Sequence, residues 1–142
     1  MEQHNTPPTV EVVAALLLRD GRFLACRRPP HKARGGLWEF VGGKVEPGET
    51  KAEALTRECR EELAAAITVG EEFLTLTHTY PDLTVRLTVL CAALAEGAQI
   101  TLLEHTDARW LTPAEAADYA FCPADEPVLE ALQRAFPPQM TE

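Results

Sequence analysis

The sequence predicts one layered domain of the α/β or α+β class, in which strands are interspersed with helices. The chain has 142 residues, a length that suits a single domain. Hydrophobic residues make up 46% and charged residues 25% of the chain, which is an ordinary globular balance. Short apolar runs typical of strands are separated by stretches with helical periodicity, and this alternation favours a sheet packed against helices.

The first part of the domain is expected to consist of strands and loops. Residues 10–18 are rich in Val and Leu, as in a buried strand, and Asp20-Gly21 is a strong hairpin signal. A second strand is expected at residues 23–26 and a short third strand at 37–41, after a basic loop containing Pro and Gly. A further loop is expected at residues 42–48.

A helix is predicted from residue 50 to about residue 64. Thr50 and Glu53 fit a capping box, in which each side chain accepts a hydrogen bond from the backbone of the other residue. Leu55, Cys59 and Leu63 recur every four residues and therefore predict the buried stripe of this helix.

The second part of the chain is also expected to alternate between strands and helices. Trp110-Leu111 ends one predicted strand, and Pro113 favours the start of a short helix. A last helix is predicted at residues 126–136, stopped by Pro137-Pro138. The remaining expectations are strands at 67–76, 84–94 and 100–103, tails at 1–8 and 139–142, and a single domain at 9–138.

The formal net charge of −9 argues against binding to nucleic acid polymers, which usually requires a basic face. If the substrate were a polyphosphate, the protein alone would repel it, and a bound divalent cation would resolve the conflict. The alternative is that the acidity only keeps the protein soluble.

The four cysteines form no C-x-x-C pair, so neither a zinc site nor a disulfide scaffold is expected. Reduced, buried thiols in a cytosolic protein are the simplest interpretation. The N-terminus does not resemble a signal peptide, and no apolar run is long enough to span a bilayer. A cytoplasmic monomer without membrane contact is therefore expected.

Glu58, Glu61 and Glu62 stand at helical spacings i, i+3 and i+4, so they share one face of the predicted helix. Hard divalent cations prefer oxygen ligands and often share them with substrate phosphates, so this face could hold such cations. The alternative is a solvated acidic face. Gly42-Gly43 before the helix favours the metal site, because glycine permits close backbone approach. Glu49 and Arg57 are expected to form an ion pair that holds the loop to the helix.

The segment from Gly43 onwards resembles the Nudix box, G-x5-E-x7-R-E-U-x-E-E-x-G-U, where U is apolar. It departs from the box at Ala64, where the family has Gly, and at Ala65, where the family has a larger aliphatic residue. The resemblance extends from about residue 10 to the last helix and is closest to the MutT-type enzymes. The residues in register are Gly43, Glu49, Arg57, Glu58, Cys59, Glu61 and Glu62.

The resemblance implies an α/β/α sandwich with a mixed β-sheet between helices. It also implies a site for Mg²⁺, with Mn²⁺ as the alternative. The Gly42 carbonyl and the carboxylates of Glu58, Glu61 and Glu62 would bind the metal. Glu104, six residues before a Trp, would be a further ligand or the general base, although it could be a plain loop charge. The resemblance implies catalytic roles for Glu61, Glu62 and Glu104. Either Glu62 or Glu104 could be the general base.

The resemblance also assigns residues to the substrate. Arg28 stands fourteen residues before Gly42, as the phosphate-binding Arg of MutT-type enzymes does, and Lys44 could help neutralise phosphate. Asp125 matches a residue that reads the base edge, and as an ionised carboxylate it would only accept hydrogen bonds. Alternatively, Asp125 caps the last helix. Phe40 and Tyr80 are candidates to pack against the base, although either could instead be a core residue.

The implied reaction is metal-dependent hydrolysis of a nucleoside triphosphate to the monophosphate and pyrophosphate. Oxidised or modified dNTPs such as 8-oxo-dGTP are the first expected substrates, and CTP or 5-methyl-dCTP are the alternative. A different Nudix substrate such as ADP-ribose, and a non-catalytic module that senses nucleotides, are also left open.

Overall fold

A computed structural model describes residues 8–136. Most of the tail expected at residues 1–8, all of the tail at 139–142 and the helix stop at Pro137-Pro138 lie outside the described residues.

The described residues form seven strands and two α-helices. The sheet order is β3-β2-β1-β6-β5, with β4 paired to β1 and β7 paired to β2. The sheet is mixed, because β1 and β6 are parallel whereas the other pairings are antiparallel. The elements are β1 (Thr9–Arg19), β2 (Arg22–Arg27), β3 (Trp38–Glu39), β4 (Gly42–Lys44), α1 (Lys51–Leu63), β5 (Ile67–Thr79), β6 (Thr84–Leu94), β7 (Asp107–Leu111) and α2 (Glu126–Ala135).

The side chains of the central strand β1 alternate between two hydrophobic cores, as expected for a strand buried on both faces. Val13, Ala15 and Leu17 belong to the core that contains the predicted stripe of α1. Ala14 and Leu16 belong to the core that contains the buried face of α2. The sheet therefore lies between the two helices. The cysteines are all free, and the buried ones are Cys26, Cys59 and Cys122.

The hairpin predicted at Asp20-Gly21 joins β1 to β2. Both residues have positive φ, 52° and 77°, as a two-residue type I′ turn requires. The register pairs Arg19 with Arg22, directly across this turn.

The segment around Gly42-Gly43 differs from the prediction. The strand expected at residues 37–41 is limited to β3, and part of the expected loop forms β4 on β1. Gly42 lies so close to β1 that an added Cβ would be 1.9 Å from the carbonyl oxygen of Val13. The glycines that suggested a loop therefore permit two backbones to pack closely.

The strand predicted at residues 100–103 is wrong. This segment instead passes the end of α1, where the Thr101 and Leu103 amides donate to the carbonyls of Leu63 and Glu62 at 2.8 and 3.0 Å. It thereby satisfies carbonyls that a helix end leaves without partners. Ile100 and Leu102 of this segment pack against the α1 core.

Both helices have the predicted positions. In α1 the capping box is complete: Glu53 N donates to Thr50 Oγ1 at 3.1 Å, and Thr50 N donates to Glu53 Oε1 at 2.9 Å. Within residues 8–136, no helix is long and apolar enough to cross a membrane. The short helix predicted after Pro113 is a 3₁₀ turn at Glu115–Asp118.

Helix α1 ends at Ala64, which has the left-handed conformation with φ of 53°. This conformation costs an L-residue roughly 1–2 kcal/mol, and glycine is the usual residue at such a helix end. The position therefore explains why the Nudix box has glycine here.

We expect Ala64→Gly to stabilise the protein by about 0.5–1 kcal/mol, because relief of the left-handed strain exceeds the added chain entropy. The measurement is the urea midpoint of unfolding. Ala66→Gly is the matched control, since this neighbouring alanine is also exposed but does not have positive φ. The control should be destabilising, and a loss of stability in both variants would contradict the prediction.

Candidate active site

A cavity of about 260 Å³ opens beside β4 and the end of α1. Part of its lining is charged and includes Arg28, Lys44, Glu62 and Glu104, with Gly42 and Gly43 next to them. The other part is largely apolar, although it also contains one buried carboxyl group. Its residues include Phe40, Tyr80, Val85, Leu87 and Asp125. A cavity of this kind can hold an anionic group and an aromatic group together.

Glu62 is the most perturbed carboxyl group of the charged lining. Only 14% of its side chain is exposed. Burial raises its pKa to about 10, and a hydrogen bond with Glu58 and the charges of Glu58, Glu39 and Glu104 add to the shift. Without a cation beside it, the environment of Glu62 therefore favours the protonated carboxyl group.

Glu58 lies against the backbone of β4. An added Cβ on Gly43 would be 2.4 Å from both Cδ and Oε2 of Glu58. The glycine that begins the Nudix box therefore provides the space for the Glu58 carboxylate. Arg57 Nη1 donates to Glu58 Oε2 at 2.9 Å and so helps to hold the carboxylate in this position.

The ion pair expected between Arg57 and Glu49 is present and uses both carboxylate oxygens. Arg57 Nε donates to Glu49 Oε2 at 2.6 Å, and Nη2 donates to Glu49 Oε1 at 3.0 Å. Arg57 Nη2 also donates to the Lys44 carbonyl at 3.0 Å, so one guanidinium joins the loop, β4 and the helix. The hydrogen bonds from Arg57 to the Glu49 carboxylate lower the pKa of Glu49.

Two of the expected catalytic carboxylates are more accessible. Glu61 is 58% exposed, lies 3.3 Å from Arg57 Nη1 and does not line the cavity. Glu104 lines the cavity, and its Oε1 accepts from Lys32 Nζ at 3.1 Å. The structure thus brings Glu58, Glu62 and Glu104 near one another and places Glu61 on the outer side of the helix.

No three Asp, Glu, His or Cys side chains between residues 8 and 136 already form a set that could hold a metal ion. The chemistry of the neighbouring groups nevertheless fits a hard divalent cation, which prefers oxygen ligands. Glu62 is crowded by other carboxylates, and a cation would relieve that repulsion. The residues that could bind it are Glu58, Glu62, Glu104 and the Gly42 carbonyl.

Arg28 is held by two hydrogen bonds at the edge of the cavity. Its Nη1 donates to Glu39 Oε1 at 2.9 Å, and its Nε donates to the Ala33 carbonyl at 2.9 Å. Sequence reasoning missed Glu39 and also His105, which contacts it. The available signal was a charged residue between two buried aromatics, Trp38 and Phe40. His105 gave no signal beyond its place next to Glu104.

Asp125 is 7% exposed and lines the cavity. It stands at the N-cap position of α2, as expected, but its side chain makes no capping hydrogen bond. Burial, with a smaller effect of Glu39, raises the pKa of Asp125 well above its usual range. This shift favours the protonated form, which both donates and accepts, over the ionised acceptor that was expected.

Tyr80 and Phe40 differ in their surroundings, although both line the cavity. The Tyr80 hydroxyl accepts from Ala124 N at 2.9 Å, and the Arg34 guanidinium lies 4.0 Å from the Tyr80 ring centroid. Phe40 is 3% exposed and packs against Phe23, with 5.4 Å between ring centroids. Phe40 is thus mainly a core residue, whereas Tyr80 with Arg34 forms a polar wall that sequence reasoning missed.

Known proteins resemble the chain over most of its length. A family model described as NUDIX domain matches residues 12–131. The CTP pyrophosphohydrolase of Escherichia coli (strain K12) is 43% identical over 125 residues, covering 87% of this chain and 90% of that protein. The putative 8-oxo-dGTP diphosphatase 2 of Mycobacterium tuberculosis (strain ATCC 25618 / H37Rv) is 34% identical over 131 residues, covering 87% of each. The solution structure of the E. coli ORF135 protein has a TM-score of 0.77 and 39% identity, covering 93% of this chain and 95% of that one.

The chain belongs to the Nudix hydrolase family. The similarity to a solved structure over nearly the whole chain also confirms the predicted fold, a mixed sheet between two helices. Nudix hydrolases generally need a divalent metal.

Proposed function

We propose that this protein hydrolyses nucleoside triphosphates to the monophosphate and pyrophosphate. The observation that carries the proposal is the single cavity that combines Glu62 and Glu104 with Arg28 and an apolar wall containing Asp125. A polyphosphate fits the charged lining, and a nucleobase fits the apolar lining. The names of two relatives agree with this reaction, since one is a CTP pyrophosphohydrolase and the other a putative 8-oxo-dGTP diphosphatase.

Each group of residues has a proposed part in the reaction. A divalent cation, Mg²⁺ or alternatively Mn²⁺, would polarise the phosphates and acidify a water molecule when bound by the glutamates and the Gly42 carbonyl. Glu62 or Glu104 would accept the proton of the attacking water. Arg28 and Lys44 would bind phosphate oxygens, and Arg28 is suited to this because its planar fork can donate two hydrogen bonds.

The net reaction breaks one P–O bond of the anhydride between the α- and β-phosphates and forms one P–O bond to the water oxygen. The leaving phosphate takes the bridging oxygen, and the proton from water ends on the accepting glutamate and then in solvent. The proposed roles leave open which of the two phosphorus atoms is attacked.

Two classes of base are supported. The relative named for CTP matches over 90% of its length, which favours cytosine nucleotides. Oxidised purine dNTPs such as 8-oxo-dGTP are supported by the second relative. A protonated Asp125 could donate to an acceptor and accept from a donor, and both cytosine and guanine edges present such pairs.

The test is pyrophosphate release with Mg²⁺ from CTP, 5-methyl-dCTP, dGTP and 8-oxo-dGTP. ADP-ribose lacks a triphosphate and would yield AMP and ribose 5-phosphate, so its turnover is followed by AMP release. We expect release from at least one triphosphate, abolished by EDTA and by Glu62→Gln. Turnover of ADP-ribose alone would contradict the proposal in favour of another Nudix substrate. Tight binding of a triphosphate without turnover would favour a nucleotide sensor.

We expect Asp125→Asn to keep kcat/KM for the preferred nucleotide within about threefold, because an amide replaces a protonated carboxyl group with the same capacity to donate and accept. Asp125→Ala should lose roughly 10-fold to 100-fold, since a buried base edge then lacks its partner. The measurement is kcat/KM at pH 7. An equal loss in both variants would mean that Asp125 acts as an ionised acceptor.

A further inference from the structure

His105 belongs to the charged lining of the cavity, although its side chain is almost completely buried. Only 3% of its side chain is exposed, and its Nε2 lies 2.9 Å from Glu39 Oε2. Its Nδ1 is buried and has no hydrogen-bond partner within the described chain. A buried nitrogen without a partner is costly, so packing alone does not account for an imidazole at this position.

Glu39 joins His105 to Arg28. One oxygen, Oε2, is 2.9 Å from His105 Nε2, and the other, Oε1, accepts from Arg28 Nη1 at 2.9 Å. Because a carboxylate only accepts, this arrangement places the imidazole proton on Nε2. The three side chains thus form one hydrogen-bonded row along the cavity lining.

The row fixes the guanidinium of Arg28 without using all its donors. Glu39 and the Ala33 carbonyl take Nη1 and Nε, whereas Nη2 of this cavity-lining residue makes no hydrogen bond within residues 8–136. If His105 released Oε2, the Glu39 carboxylate could turn both oxygens toward the guanidinium. The resulting two-pronged pair would take Nη2 as well.

We propose that His105 is a positioning residue for Arg28 and acts through Glu39 to keep Arg28 Nη2 free for the pyrophosphate part of the substrate. The proposal rests on the proposed function, in which Arg28 binds phosphate. His105 does not touch the substrate in this role, and its Nε2 is bonded to Glu39.

A matched pair of variants separates this role from a structural one. His105→Gln can place an amide nitrogen close to the position of Nε2, whereas His105→Asn places it close to that of Nδ1. Both variants are polar and smaller than histidine, so they should affect folding similarly. Thermal melting verifies that each variant is folded, and a difference between them in ligand binding then reports the bond to Glu39.

The readouts are the affinity for magnesium pyrophosphate by calorimetry, the affinity for Mg²⁺ alone, and KM and kcat for the preferred triphosphate. For His105→Asn we expect Kd for magnesium pyrophosphate and KM to rise roughly 10-fold, as when a supporting hydrogen bond to a charged group is lost. The affinity for Mg²⁺ alone should change less than about twofold. His105→Gln should restore both Kd and KM to within about threefold of the unmodified protein.

Arg28→Ala distinguishes failure of this inference from failure of the proposed function. If Arg28→Ala weakens magnesium pyrophosphate binding but His105→Asn does not, or if His105→Gln is as impaired as His105→Asn, His105 does not position Arg28. A parallel fall in Mg²⁺ affinity would assign His105 to the metal site and also overturn the inference. If Arg28→Ala binds magnesium pyrophosphate normally, the phosphate-binding role in the proposed function is wrong, and the role of His105 is overturned with it.

Discussion

A Glu62→Gln variant is expected to lose roughly 10²-fold to 10⁴-fold in turnover with Mg²⁺, the range of a general base or a metal-binding carboxylate. Glutamine has nearly the same size but cannot accept the proton of water or provide a charged oxygen to the cation. The measurement is pyrophosphate release under saturating triphosphate. A loss below about tenfold would exclude Glu62 from both roles and would favour Glu104 as the general base.

The same variant should alter how stability depends on pH in the metal-free protein. The pKa of Glu62 is about 10 in the folded chain, against an ordinary value of 4.5. Between these values the folded protein holds a proton that the unfolded chain releases. The contribution of this group is therefore fully present below about pH 4.5 and falls as pH rises toward 10.

Urea midpoints in EDTA at pH 6, 7, 8 and 9 would test this dependence. The unmodified protein should become less stable across this range, and Glu62→Gln should show a flatter profile because its amide does not titrate. Mg²⁺ should reverse the trend in the unmodified protein, since the cation favours the ionised carboxylate and its binding releases the proton. Parallel profiles for the two proteins in EDTA would contradict the assignment of the slope to Glu62.

Local patterns in the sequence were sufficient to predict the elements whose structure depends on near neighbours. The capping box at Thr50 and Glu53, the hairpin at Asp20-Gly21 and the stripe on α1 each involve residues only a few positions apart. The strand at residues 100–103 was wrongly predicted because an apolar segment of this kind can be any extended segment with one buried face. Whether such a segment joins a sheet or covers a helix end depends on contacts distant in sequence.

In the candidate site too, features set by near neighbours could be predicted, whereas those set by residues distant in sequence could not. The box residues were recognisable because Glu58, Glu62 and the Glu49–Arg57 pair lie within one loop and one helix. Glu39 and His105 were missed because they are 66 positions apart, and their significance lies only in the bond between them. The raised pKa of Asp125 could not be predicted from the sequence either, because it depends on burial by other elements.

Gly42 and Gly43 are adjacent, but substitution of each by alanine should affect different properties. At Gly42 an added Cβ would lie 1.9 Å from the Val13 carbonyl oxygen, a backbone atom of the central strand that cannot move alone. Gly42→Ala should therefore destabilise the protein by about 3 kcal/mol or more, at or above the upper end of ordinary overpacking. The measurement is the urea midpoint, with Gly70→Ala in β5 as the control, since its nearest neighbour would be 3.3 Å away.

Gly43→Ala should instead damage function while the fold persists. The added Cβ would lie 2.4 Å from the Glu58 carboxyl group, which is the end of a flexible side chain and can turn away. Stability should fall by no more than about 1–2 kcal/mol. A carboxylate displaced by about 1 Å should nevertheless cost roughly 100-fold in turnover and weaken Mg²⁺ binding. Normal turnover and Mg²⁺ affinity in a folded Gly43→Ala variant would mean that the position of Glu58 against β4 has no part in the catalytic site.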